Sequence, residues 1–274
     1  MSFKNILVAY SGSEASQAAL TLASKLAIDL GAHVTGVLTH GMPAAFYSYA
    51  SQMPQTVLAE AETADNDHRA IVQATFFGQK TGVPADRIHY LDMRGEADLQ
   101  LIETARTYDL VVMGPADPDA DFPHMETHAD VIARDSGRPV LLAPTVPHET
   151  ALNGHVLIAW DGRNAAARAL SDAMSLITAA KKVTILSVGV HEEDKQALNR
   201  LLTHLQRHGV SAELITRPKR MTRIGDIILE TAAEIGAGLV VMGAYEHSKF
   251  AEDLFGGATN RVMARASIPI LMAH

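Results

Sequence analysis

Short, wholly apolar runs alternate along this chain with longer stretches in which apolar residues recur every three or four positions. KNILVAYSG (4–12) and GHVLIAWDG (154–162) are apolar almost throughout and end at a polar residue and a glycine. Continuous runs of this kind mark strands buried on both faces, as in parallel sheets. Each precedes an alanine-rich segment. In the first, Leu20, Ala23, Ala27 and Leu30 fall at helical spacing and Gly31 supplies a stop. In the second, AAARALSDAMSLITAAKK carries Ala166, Leu170, Ala173, Met174 and Ile177 on a similar stripe. Further strands are expected at HVTGVLTH (33–40) and KVTILSVGV (182–190). The sequence VVMG then occurs at both 111–114 and 240–243, and RPVLLAP (138–144) and IPILMAH (268–274) close the two halves. Strand alternating with helix predicts an α/β chain: two tandem open parallel five-stranded sheets, with helices on both faces.

The register of the repeat can be counted. Asn5 answers to His155 and Gly114 to Gly243, offsets of 150 and 129, so the first copy holds 21 more residues between these points. GMPAAFYSYASQMPQT (41–56) is the expected surplus, read either as a loop packed on its surroundings or as a lid. The copies meet near TVPHETALNG (145–154), which gives domains at 1–147 and 152–274. The length of 274 residues agrees with two domains, and a hydrophobic content of 47% is ample for packed cores. Cysteine is absent, which removes disulfides, thiolate catalysis and cysteine-bound zinc. A formal charge of −8 speaks against nucleic acid as a partner. No apolar run approaches the roughly 18 residues of a membrane span, and MSFKNILVAY lacks the layout of a signal peptide. A cytoplasmic location, with no membrane partner, is expected.

Chemistry concentrates where strands end. In open parallel sheets, ligands gather beyond the carboxyl ends of the strands. WDG (160–162) and VMGAYEHSKFAEDLFGGATNRVMARA (241–266) both begin there. The pair Gly256–Gly257 stands at the start of a helix, where bare backbone N–H groups and the helix dipole suit an anion, phosphate above all. No lysine follows, so this is not a Walker A loop. A turn that needs only glycine's freedom is the competing reading.

The two-copy layout, with WDG after the first strand and VMG-x2-E-x9-GG after the fourth, resembles the universal stress protein family. The resemblance covers essentially the whole chain. It implies an adenine-nucleotide alpha-hydrolase-like, Rossmann-like fold and a nucleotide motif of the form G-x2-G-x9-G-[ST]. Gly243 fills its first glycine and Gly256 its third, while Glu246 replaces the second and Gly257 the Ser or Thr. Asp161 matches the acid that reads the nucleoside. The implied nucleotide set is Asp161, Gly162, Val188, Gly243, Glu246, His247, Gly256, Gly257, Ala258 and Thr259, with ATP as the ligand and Mg²⁺ as a companion. Thr259 can replace the missing hydroxyl. Glu246 repels a triphosphate unless it faces solvent or holds Mg²⁺. Lys219, Arg220 or Arg223 of the basic stretch RPKRMTR (217–223) could offset it; a solvated basic loop is the alternative.

In the first copy the same register gives Ser11 for Asp161, Asp117 for Glu246, Thr127 for Gly256 and His128 for Gly257, with Asp119 and Asp121 adding negative charge. One nucleotide site per chain is therefore expected, in the second copy, and a structural or partner-facing role for the first. HMETH (124–128) would set His124 and His128 on one helix face as metal ligands, against the commoner outcome of two surface histidines. HEED (191–194) reads as the acidic start of a helix. No catalytic residue can be named. The expected function is that of a stress-response or regulatory nucleotide binder with an unidentified protein partner. A weak ATP-hydrolysing or adenylyl-transferring enzyme and a nucleotide-free interaction module are the alternatives. The resemblance also implies an intramolecular pseudo-dimer made through the two final strands, with further homo-oligomers left open.

Overall fold

The computed structural model describes residues 3–41, 53–117, 119–145, 152–189, 194–219, 223–244 and 257–274. By contacts the chain divides between Arg138 and Pro139. The first unit runs β1 (Asn5–Ala9), α1 (Glu14–Leu30), β2 (His33–His40), α2 (Gln55–Gly78), β3 (Ile88–Arg94), α3 (Ala97–Ala105), β4 (Leu110–Met113) and α4 (Ala129–Asp135). Its strands lie in the order β3-β2-β1-β4, all parallel. The chain leaves β1 toward β2 and returns on the other side at β4, so the carboxyl end of β1 is a point where strand order reverses.

The second unit holds β5 (Val140–Leu142), β6 (His155–Ala159), α5 (Asn164–Asp172), α6 (Met174–Ala179), β7 (Lys182–Val188), α7 (Lys195–Arg207), β8 (Ala212–Arg217), α8 (Ile224–Ile235), β9 (Leu239–Gly243), α9 (Gly257–Arg265) and β10 (Ile270–Ala273). Its order is β5-β10-β9-β6-β7-β8. Every pairing is parallel except that of β5 with β10, which is antiparallel through Ile270↔Leu142, Leu271↔Leu141 and Met272↔Val140. Each repeat thus supplies five strands, and the two final apolar strands pair with each other.

Local sequence explains the elements. Ser13 caps α1 by accepting the Ser16 N–H, and Gly31 ends it in the left-handed conformation at φ 62°. Leu20, Ala23 and Ala27 of the expected stripe are buried, with Ala19 beside them, while Leu30 is only half-buried. The corresponding stripe of the second repeat is carried by two helices, because the backbone relaxes at Ala173 (φ −84°, ψ −1°) before α6 begins. Ala166, Leu170, Ala173 and Ile177 are buried as expected, while Met174 is half-buried. The surplus of the first copy is not all loop. Gln55 and Thr56 already belong to α2, which has 24 residues where α7 has 13; residues 42–52 lie outside the described residues.

The repeated VVMG has a packing cause. A Cβ on Gly114 would stand 2.6 Å from the backbone of Ala15, and one on Gly243 would stand 2.6 Å from the Ala166 nitrogen and 2.7 Å from the Ala165 carbonyl carbon. In both repeats the first turn of the helix after the first strand presses on the end of the fourth strand. Only glycine leaves room for it. Among the described residues no helix is long and apolar enough to cross a membrane.

Candidate functional site

β6 and β9 are neighbours, with Ala159 opposite Met242, and β7 flanks β6 on its other side, with Ala159 opposite Leu186. Asp161, Gly162, Val188 and Gly243 therefore emerge together at one carboxyl edge. Asp161 is exposed, and its Oδ1 accepts the Arg163 N–H at 3.0 Å, which bends the chain toward α5. Among the described residues its second oxygen accepts no hydrogen bond. α5 has no side-chain cap. Lys219 reaches the same edge: a Cβ on Gly189, just past β7, would be 3.2 Å from the Lys219 Cβ. Arg223 stands at the residue before α8, with no side-chain cap bond, and is exposed.

Gly257 and Ala258 open α9, and Thr259 in its first turn is buried. Glu246, His247, Gly256 and Arg220 lie outside the described residues, as do residues 191–193 of HEED, whose Asp194 precedes α7. α9 is anchored by a contact that sequence reasoning missed. Asp226, in the first turn of α8, takes the Arg261 Nε at 2.8 Å and Nη2 at 3.1 Å, and the Arg265 Nη1 at 2.9 Å. The hydrogen bond from Arg261 holds the Asp226 carboxyl below the usual carboxylate range, against the opposing effect of desolvation. An aspartate in one helix and arginines 35 and 39 positions later give no local signal.

The first repeat uses its aspartate differently. Asp98, in the first turn of α3, accepts the backbone N–H of His128 at 2.8 Å, and its other oxygen lies 2.9 Å from the His128 Nδ1. A carboxylate of the chain itself thus sits at the start of the repeat's last helix. Matched burial also moves the register there: Ala129 answers to Thr259 and Ile132 to Val262, an offset of 130 rather than 129. On that register Glu126 and Thr127, not Thr127 and His128, correspond to Gly256 and Gly257.

The histidines of HMETH do not share a helix face. Residues 123–125 form a 3₁₀ turn and α4 begins only at Ala129, so His124 and His128 diverge. His124 Nε2 lies 3.2 Å from Asp65 on α2. Among the described residues no group of three His, Cys, Asp or Glu side chains is placed to hold a metal ion. α2 instead covers the edge of the first repeat. Its His68 ring stacks on Phe122 at 4.0 Å, and Arg69 pairs with Asp92, which also holds His40 at 2.9 Å. Burial lowers the pKa of both His40 and His68; the Asp92 charge opposes this at His40 and the Asp65 charge at His68.

A shallow cleft, open to solvent, remains at this edge, between the ends of β1, β2 and β4 and the segment before α4. Ser11, in the place of Asp161, donates its hydroxyl to Ser13 Oγ at 3.0 Å on the cleft wall.

Comparison with known proteins agrees with the repeat. The model of the Universal stress protein family matches residues 2–144 and again 153–274. A universal stress protein of Synechocystis is 25% identical over 226 residues, covering 80% of this chain and 71% of the relative. In three dimensions the chain is similar to a universal stress protein from Archaeoglobus fulgidus, with a TM-score of 0.68 at 15% identity over 98% of this chain and 97% of that one. It is also similar to a functionally unknown protein of Pseudomonas aeruginosa, with a TM-score of 0.58 at 16% identity over 99% and 92% of the two chains.

Proposed function

The chain belongs to the universal stress protein family, and from that premise we propose that it is a regulatory protein of the stress response which binds an adenine nucleotide, ATP, in its second repeat. The observation that carries this reading is the convergence of Asp161 and Gly243 at the adjoining ends of β6 and β9. The described residues fit such a ligand. Asp161 keeps one carboxylate oxygen for an amino or hydroxyl donor, and α9 begins with a glycine. Lys219 and Arg223 stand near as counter-charge for phosphate. The first repeat lacks the acid at Ser11 and has Asp98 at its helix start, so the reading assigns one nucleotide to each chain.

Trp160 makes the test direct. It is the single tryptophan of the chain, half-buried and adjacent to Asp161. Titration with ATP is expected to change its fluorescence saturably, at one equivalent per chain. Asp161→Ala should weaken binding about ten- to a hundredfold, as for loss of a hydrogen bond to a charged acceptor. A parent protein that shows no saturable response to ATP or ADP, and releases no nucleotide on denaturation, would rule the reading out.

A further inference from the structure

β8 (Ala212–Arg217) ends the strand order of the second repeat, and among the described residues no strand pairs with its outer side. Its neighbour shows which way its backbone faces. The Gly189 N–H donates to the Arg217 carbonyl at 2.8 Å, with Arg217 opposite Val188. Bonding groups alternate sides along a strand, so Glu213, Ile215 and Arg217 turn theirs to β7, and Ala212, Leu214 and Thr216 turn theirs to the open side. Natural edge strands are blunted by lysine, proline, bulges or charge without a complement. AELITR holds no lysine, glycine or proline, and its Ile215 and Thr216 favour extended backbone. Leu214 is 37% exposed and Ile215 half-buried. β3, the outer strand of the first repeat, is guarded instead: Arg69 and His40 already take its Asp92, and the Phe77 ring of α2 lies 6.0 Å from Tyr90.

We propose that β8 is an interface at which two copies of this chain join their second repeats, strand against strand, antiparallel about Ile215. Charge selects a second copy as the occupant. Glu213 and Arg217 are opposite in sign, share one face of the strand, and stand two positions either side of Ile215. When the strand meets itself about that residue, Glu213 of each copy faces Arg217 of the other and Ile215 meets Ile215. Leu214 then lies opposite Thr216, and both have outward N–H and C=O groups to exchange. Other registers lose this match. An axis at Leu214 sets Glu213 against Ile215, and an axis at Thr216 sets Leu214 against Pro218, which has no N–H to give. Glu213 is exposed, and among the described residues it has no ion-pair partner in its own chain. Arg217 meets Glu234 of α8, so a second carboxylate across the interface adds to an attraction already in place. The contact is isologous and closes at two chains. One short strand buries little area, so the dimer is reversible rather than permanent.

Analytical ultracentrifugation of the full chain is expected to show monomer and dimer in exchange at micromolar concentration. Glu213→Arg, a change at an exposed side chain, should raise the dissociation constant about tenfold, because like charges then stand opposite each other twice. Arg217→Glu should do the same. Mixing these two variants in equal amounts should restore the dimer, since one strand then brings two arginines and the other two glutamates. Amide exchange reads the register: Leu214 and Thr216 should slow as concentration rises, while Ile215, bonded to β7, stays protected throughout. A chain that is monomeric at every accessible concentration leaves the edge to solvent or to another protein, and the proposal falls. It falls equally if a dimer persists unchanged in both single variants, or if their mixture stays monomeric. None of these readouts requires nucleotide, so the outcome does not depend on whether the second repeat binds ATP.

Discussion

Asp161 and Ser11 stand at the same step of the repeat, and the difference between them is one acceptor charge. Asp161→Ser is therefore expected to weaken ATP in the same direction as Asp161→Ala, because a hydroxyl retains the turn hydrogen bond but not the charge. Equal affinity for parent, Ala and Ser proteins would reduce Asp161 to a turn residue. At His40 and His68 burial favours the neutral ring, so the folded pKa lies below the ordinary value of 6.5. Their contribution to stability is whole above that value and is lost as pH falls toward the folded pKa. The groups facing them are Asp92, Arg69, Arg94 and Asp65 at His40, and Asp65, Asp121 and His124 at His68. Urea unfolding of the first repeat, followed by tyrosine signals, should show a midpoint that declines between pH 7 and 5. His68→Phe should flatten part of that decline, and an unchanged slope would remove His68 from the account. Asp161 was legible because a strand ending in Asp-Gly is a local pattern. Asp98 was not, since its partner His128 is 30 positions away.

Elements in this fold are placed by close approaches that hydrophobic periodicity does not report. VVMG is visible as a repeated string, and its glycine invites a phosphate explanation; the structure gives that glycine the same helix to accommodate in both halves. Gly114→Ala and Gly243→Ala should each destabilise their own repeat by about 1–3 kcal/mol, since a Cβ there overpacks against backbone that cannot rotate away. Thermal unfolding checks this, and a neutral result at either glycine would show that α1 or α5 can shift. The boundaries of α1, its cap and its stop were readable from Ser13 and Gly31. The break at Ala173 was not, because the apolar stripe passes through it without interruption. α9 depends on Asp226 for its seat. Asp226→Asn should raise amide exchange in α9 and lower ATP affinity, whereas Asp226→Glu should restore both in part. An unaltered exchange pattern would leave the arginine pairs as surface decoration.

For the whole molecule, the alternation of strand and helix was enough to foresee two α/β repeats of five strands, because burial on both faces writes itself as continuous apolar runs. The direction in which the final strands meet was beyond reach, since antiparallel and parallel partners demand the same residues over so short a stretch. That pairing bears on what happens if the chain is divided. A fragment of residues 152–274 would lack β5, and Ile270–Ala273 would present an open row of backbone donors and acceptors flanked by apolar side chains. Size-exclusion chromatography is expected to show this fragment as a dimer or larger, and a stable monomer would contradict it. Covalent linkage of the repeats thus works as a chaperone in cis, because the strand that shields β10 arrives on the same polypeptide and need not be found by diffusion.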